Sequence, residues 1–156
     1  MNAADSARSS GSPALDSWAS SETARRTMRA NRRRDTKPEL AIRSALHQLG
    51  MRFRVDFAPL PDRRRRADVV FTRWRVAVYV DGCFWHGCPE HGTTPRANEG
   101  YWRDKLRRNR ERDAETVADL IDAGWTVVRV WEHESPGDAA HRIIAVVDER
   151  RGRAPG

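Results

Sequence analysis

Cysteine is nearly absent from this 156-residue chain: Cys83 and Cys88 are the only two, with four residues between them. That excludes a small secreted scaffold held by several disulfides, and in a reducing compartment a close pair favours ligation over a bridge. Lysine is scarcer than the charge suggests, since 29 basic residues include only Lys37 and Lys105. No run approaches the roughly 18 apolar residues that a membrane span requires. The N-terminal stretch lacks the apolar core of a signal peptide, so a cytoplasmic protein is expected. There is no internal repeat, and the length suits one domain with a modest core.

Arginine is abundant instead, and the formal net charge is +7. Codon usage in a GC-rich genome accounts for part of this, but not for the clustering. "RRTMRANRRR" (25–34), "RRRR" (63–66) and "RDKLRRNRER" (103–112) are local runs. Guanidinium pairs with phosphate and stacks on bases, which points to nucleic acid. Each run also reads as a solvated face.

Residues 1–22 are rich in Ser and Ala, lack periodicity and read as a disordered tail; the arginine-rich stretch after them reads as an arm. In "DTKPELAIRSALHQLG", Thr36 has N-cap character, Glu39 stands at capping-box spacing, and Pro38 fits the first turn. Ile42, Ala45, Leu46 and Leu49 make an apolar face, and Gly50 is a stop. Strands are predicted at 53–57, 67–71 and 76–80, the last two as a hairpin around "TRWR". A helix follows at 101–123, ended by Gly124, then a strand at 125–131 and a short closing helix. The order α, three strands, α, β, α gives an α/β sheet with flanking helices.

Polar residues stand where core is expected. In the 101–123 helix, Trp102, Leu106, Val117, Leu120 and Ile121 share a face whose middle is Asn109 and Asp113. Burying an amide and a carboxylate costs several kcal/mol unless each is satisfied. Either an arginine pairs with them or the face lines a site. Asp68 opens the strand "ADVVF", although aspartate is depleted in strands. It is either an edge carboxylate pairing with the adjacent arginines or a metal ligand. Phosphodiester hydrolysis uses a hard divalent cation such as Mg²⁺, and Asp68 and Asp81 on neighbouring strands would converge on one.

"DGCFWHGCPEH" (81–91) concentrates two cysteines, two histidines, two carboxylates and two aromatics. Cys83, Cys88 and His91 form a partial Zn²⁺ set, completed best by His133 at the end of the neighbouring strand. His47 and His141 are weaker choices for that fourth ligand. His86 reads either as a ligand in place of His91 or as a group that activates water. Phe84 and Trp85 read either as packing against the knuckle or as wedges between base pairs.

"MRAN", "RDTKPEL", "ADVVF", "VAVYVDGCFWHGCPEHGTTP", "YWRDKLRRNRERD" and "GWTVVRVWEHE" together resemble the very short patch repair endonucleases, bacterial DNA mismatch nicking enzymes, from about Thr27 to Glu134. The resemblance implies a restriction-endonuclease-like fold of the PD-(D/E)XK type, a central mixed β-sheet flanked by helices with a structural zinc site. The chain then divides into a tail at 1–22, one endonuclease domain at 23–150 whose residues 23–35 form a DNA-binding arm, and a tail at 151–156. The implied reaction is Mg²⁺-dependent nicking 5′ to the thymine of a T·G mismatch, of the kind left when 5-methylcytosine deaminates. Asp68 would bind Mg²⁺ with the backbone carbonyl of Val80, His86 would activate water, and Glu39 and Asp113, beside Asn109, would order the site. Phe84, Trp85 and Trp102 would intercalate, and Met28 with Arg29 would lie in the minor groove. Cys83, Cys88, His91 and His133 would hold Zn²⁺. The implied partners are double-stranded mismatched DNA and mismatch-repair proteins, with the enzyme itself a monomer.

The chain departs from the best-known form of the family, which has threonine at Val80, histidine at Asp81 and a different mix of zinc ligands. The E-x-K motif usual in this fold is missing, as it is in the family. The rival readings are a zinc-stabilised DNA-binding module without catalysis and a restriction-type nuclease acting on matched DNA.

Overall fold

The computed structural model describes residues 34–86, 88–91 and 96–153, with the backbone alone for Phe84 and Trp85. The 1–22 tail, the arm through residue 33 with Met28 and Arg29, and residues 154–156 lie outside the described residues. Helix α1 (Lys37–Gln48) starts where the sequence signals it, with Thr36 as N-cap accepting from the Glu39 N–H at 3.5 Å. The return bond expected of a capping box is displaced by one residue. Glu39 Oε2 accepts from the Asp35 N–H at 2.8 Å, because Asp35 takes a left-handed φ of 58° that turns its amide inward. Gly50, at φ 77°, supplies the left-handed residue that ends the helix.

Strands β1 (Arg54–Phe57), β2 (Ala67–Phe71) and β3 (Val76–Asp81) follow within a residue of their predicted bounds. The "TRWR" link is a single 3-10 turn (Thr72–Trp74) closed by Arg75 at φ 52°. The hairpin sets Val69 opposite Val78 and Phe71 opposite Val76. Next come the one-turn helix α2 (Cys83–His86), the 24-residue helix α3 (Glu99–Asp122) and strand β4 (Thr126–Trp131). The sheet order is β1-β2-β3-β4, antiparallel except for the parallel β3–β4 pair that α3 connects. The last helix, α4 (Pro136–Arg153), is longer than the short one expected and runs three residues past 150.

Period-two alternation sorts the sheet's side chains between two faces. Val69, Phe71, Val76, Val78, Val128 and Val130 pack under α1 and α4, against Ile42, Leu46, Ile143 and Val147. The other face carries Val70 and Ala77 against Leu120 of α3, and Ala67, at the start of β2, joins that cluster out of phase. By the same alternation Asp68, Tyr79, Asp81 and Arg129 lie on the α3 side, towards one end of the sheet. Ile121, placed on the apolar face of α3 by its spacing, is 57% exposed. Leu120 takes the place against the sheet, and the next residue, about 100° round the helix, turns to solvent.

The two ladders of β3 end at different places. β2 pairs with β3 only from Val69/Val78 onward, whereas β4 follows β3 as far as Asp81/Trp131. The sheet therefore opens between Asp68 and Val80. No helix among the described residues is long and apolar enough to cross a membrane.

Leu46 is fully buried in the thicker core layer. Leu46→Ala is expected to lower unfolding free energy by about 3 kcal/mol, measured by urea denaturation with an unchanged m-value.

Candidate active site and metal centre

Where β2 and β3 part, the Asp68 carboxylate does what a strand partner would have done: Oδ2 accepts from the Val80 N–H at 2.7 Å. Burial is the main influence on this carboxyl. The Val80 bond opposes it, but crowding by Glu39 and Asp81 adds to it, and the pKa is pushed up to about 6. Among the described residues no arginine of the 63–66 run forms an ion pair with Asp68, so the edge-pairing reading fails. A carboxylate oxygen crowded by other carboxylates suits a hard cation, which would relieve that crowding.

His86, at the end of α2, faces α3. Its Nδ1 lies 2.5 Å from Asp113 Oδ2. Burial opposes the imidazolium, but the Asp113 hydrogen bond and the charges of Asp81 and Asp113 outweigh it and raise the pKa above the ordinary histidine value. In return His86 and Arg129 hold Asp113 below the usual carboxylate range, against the effect of burial. Asp113 is thus satisfied by histidine first and arginine second, which explains a carboxylate on that helix face. Asn109 sits one turn earlier on the same face, half-buried.

Glu39 is buried and turned inward, so its capping and site readings are compatible. Both of its bonds, from the Asp35 N–H and from Arg43 Nη2 (3.2 Å), fall on Oε2, leaving Oε1 outside them.

Asp81 is 4% exposed and held by a bidentate fork. Arg129 Nε donates to Oδ2 at 2.5 Å and Nη2 to Oδ1 at 2.8 Å. Both oxygens are engaged by a cation, so convergence of Asp68 and Asp81 on one metal does not occur here. Sequence reasoning missed Arg129. Its signal is the one that flagged Asp68, a charged residue inside an apolar strand, here "TVVRVW".

Cys83, Cys88, His91 and His133 come together, as their spacing and the β3–β4 pairing require. Their ligand atoms all lie within 4.8 Å of one another. Cys83 Sγ is 3.1 Å and Cys88 Sγ 3.8 Å from His133 Nδ1, and Cys88 Sγ is 4.0 Å from His91 Nδ1. A tetrahedron of Zn–S and Zn–N bonds has edges of roughly 3.5 Å, so the four donors fit such an ion. His86 lies outside this set and is free for the other role. A second unforeseen residue fixes the knuckle to the sheet: Glu132 Oε1 accepts from the Cys83 N–H at 2.8 Å.

An open cleft of about 590 Å³ leads to Asp68 and Asp113, with Arg34, Arg64, Arg65, Arg66 and Arg129 along its wall. Arg63 pairs with Asp119 of α3, and Arg65 with the Arg112 carbonyl and Thr116. Arg34 and Arg66 share Asp56, which stands in β1 at a left-handed φ of 46°. Arg64 projects from the same loop and is exposed.

Comparison with known proteins gives this arrangement a family. The family model of the DNA mismatch endonuclease Vsr matches residues 16–91. The type II nicking enzyme V.NaeI of Lentzea aerocolonigenes is 56% identical over 125 residues, 79% of this chain and 74% of that protein. The type II nicking enzyme V.XorIIP of Xanthomonas oryzae is 41% identical over 117 residues, 74% of this chain and 83% of that one. The DNA mismatch endonuclease Vsr of Escherichia coli is 36% identical over 114 residues, covering 70% and 69%. The chain belongs to the Vsr endonuclease family. Asp68, His86, Glu39, Asp113 and the Cys/His knuckle lie towards one end of the sheet.

Trp102 behaves otherwise. It is 6% exposed, with the Lys105 ammonium 5.4 Å above its ring, while neighbouring Tyr101 is 46% exposed. The reason is its place on the inward face of α3, one turn before buried Leu106.

Cys88→Ser removes a thiolate donor from the knuckle. It is expected to release a tightly held ion, present at about one per chain in the parent protein, and to lower the melting temperature, read by metal analysis and calorimetry. Equal metal content in parent and variant would show that the cluster is not a metal centre.

Proposed function

We propose that this protein is a DNA mismatch endonuclease that nicks one strand 5′ to the thymine of a T·G mismatch, by Mg²⁺-dependent hydrolysis in the bacterial cytoplasm. The observation that carries the reading is the half-buried carboxylate of Asp68 lining the same arginine-walled cleft as Asp113, the partner of His86. The nicking relatives support cleavage of a single strand, and the mismatch endonuclease supports the substrate.

The chemistry follows from the chain's own groups. Asp113 accepts a hydrogen bond from Nδ1 of His86, which leaves Nε2 with a lone pair to take a proton from water. The water oxygen bonds to phosphorus as the bond to the leaving oxygen on its far side breaks. A divalent cation held by Asp68 and the Val80 carbonyl would stabilise the charge that develops on the phosphate and lower the pKa of water. Glu39 Oε1 and Asn109 offer polar groups to order the surrounding water. Arg34, Arg65 and Arg66 of the wall exchange their present partners for phosphates and release counterions, so binding weakens steeply with salt.

On this reading Zn²⁺ in the Cys83, Cys88, His91 and His133 knuckle is structural, since all four positions are protein donors. Its rigidity aims His86 and sets Phe84 and Trp85 to wedge beside the mismatch. Trp102 joins the stack only if the arriving duplex uncovers it. The arm, with Met28 and Arg29, lies in the minor groove.

Nicking of a T·G duplex in Mg²⁺ is expected, with matched duplex cut at least about 100-fold more slowly. Asp68→Ala should abolish nicking while DNA affinity changes less than about 3-fold. Unimpaired nicking by that variant would remove Asp68 from catalysis, and equal cleavage of matched DNA would favour the restriction-type reading. Trp85→Ala is expected to reduce the affinity ratio of mismatched to matched duplex more than affinity for matched duplex, measured by fluorescence anisotropy. Equal loss of both would remove the wedge.

A further inference from the structure

Asp81 and Arg129 do nothing in the chemistry just described, yet they sit against both of its protein groups. Arg129 Nη2 lies 3.4 Å from Asp113 Oδ2 and 3.3 Å from His86 Nδ1. Asp81 Oδ1 lies 3.6 Å from His86 Nε2, the nitrogen that the Asp113 bond leaves over. A buried carboxylate that close to an unoccupied imidazole nitrogen is a competitor for it. A small rotation of Asp81 would close the gap, bind the ring at both nitrogens and leave none for water.

The guanidinium fork prevents that rotation, because both Asp81 oxygens are tied to Arg129 at 2.5 and 2.8 Å. The backbone fixes the fork in turn. Tyr79 stands in register with Arg129 and Asp81 with Trp131, so Asp81 and Arg129 form a diagonal cross-strand pair on one face. Arg129 also reaches Asp113, and so spans the two carboxylates on either side of the ring.

We infer that Arg129 and Asp81 are positioning residues of the endonuclease site, the arginine holding the aspartate back so that His86 Nε2 stays open to water. The role rests on the proposed function for its consequence in catalysis, but its geometry is testable without activity.

In a crystal structure of Arg129→Leu, the distance from His86 Nε2 to Asp81 is expected to close from 3.6 Å to about 2.8 Å. At saturating T·G duplex the single-turnover nicking rate is expected to fall about 100-fold, within what a positioned base contributes. The dissociation constant for DNA should change less than the rate. Replacing the competitor as well, with Asp81→Ala added to Arg129→Leu, should restore at least about 10-fold of that rate. A double variant no faster than Arg129→Leu would overturn the inference. So would lost DNA affinity with an unchanged rate, which would make Arg129 a phosphate contact. If Arg129→Leu alone fails to fold, with a buried charge left unpaired, the double variant lacks that charge and decides the matter. It should then nick within about 10-fold of the parent rate, and a loss beyond about 100-fold would overturn the inference. A parent protein that nicks no T·G duplex would refute the proposed function, and the Nε2 to Asp81 distance would still test the positioning.

Discussion

The structure turns on one hydrogen bond, from the Val80 N–H to the Asp68 carboxylate. It exists because β3 keeps β4 as a neighbour for longer than it keeps β2. A backbone N–H left over at the end of a ladder must find a partner, and an aspartate one residue before the last pair supplies it. That local solution puts a carboxylate at the mouth of the sheet, on the face that α3 covers. The same run of β3 continues through Asp81 into the knuckle, so the Val80 amide that holds Asp68, the histidine and the Cys/His cluster are all aimed by a single strand.

The opening has an energetic cost that the surrounding charges contain. Burial and neighbouring carboxylates push Asp68 to about 6, so its charged form is disfavoured. The other acids at this end of the molecule already have partners: Asp81 has Arg129, Glu39 has Arg43, and Asp113 has His86. Removing one member of such a pair leaves a buried charge and costs far more than removing both. Stability and function are coupled here, because the cations that satisfy these acids also set the site's geometry.

Much of this was legible in the chain. Element order and bounds follow from β-branched runs and glycine stops, and His133 was placed at the knuckle by reasoning that its strand lies beside β3. Asp68, Asn109 and Asp113 announced themselves as polar residues in apolar patterns. What the sequence did not disclose depends on diagonal and cross-element contacts. Arg129 looks like one more of many arginines until register sets it across from Asp81. Glu132 acts through a backbone amide that no side-chain pattern marks. Ile121 reads as buried from its phase but turns to solvent, whereas Trp102, which the resemblance makes an intercalating residue, is buried as its phase predicts. The capping box shifted by one residue because Asp35 takes a left-handed φ, which no propensity at that position demanded.

The two candidate metal centres differ in donor chemistry. Soft thiolates and imidazoles close one completely, and hard oxygens leave the other open. The central claim is that the open one lies where β2 and β3 part. Titrating the ¹⁵N-labelled protein with Mn²⁺, a paramagnetic stand-in for Mg²⁺, tests it most directly. The amide signals of Asp68 and Val80 are expected to broaden first, and the effect to disappear in Asp68→Asn. Broadening centred elsewhere, or unchanged in that variant, would contradict it.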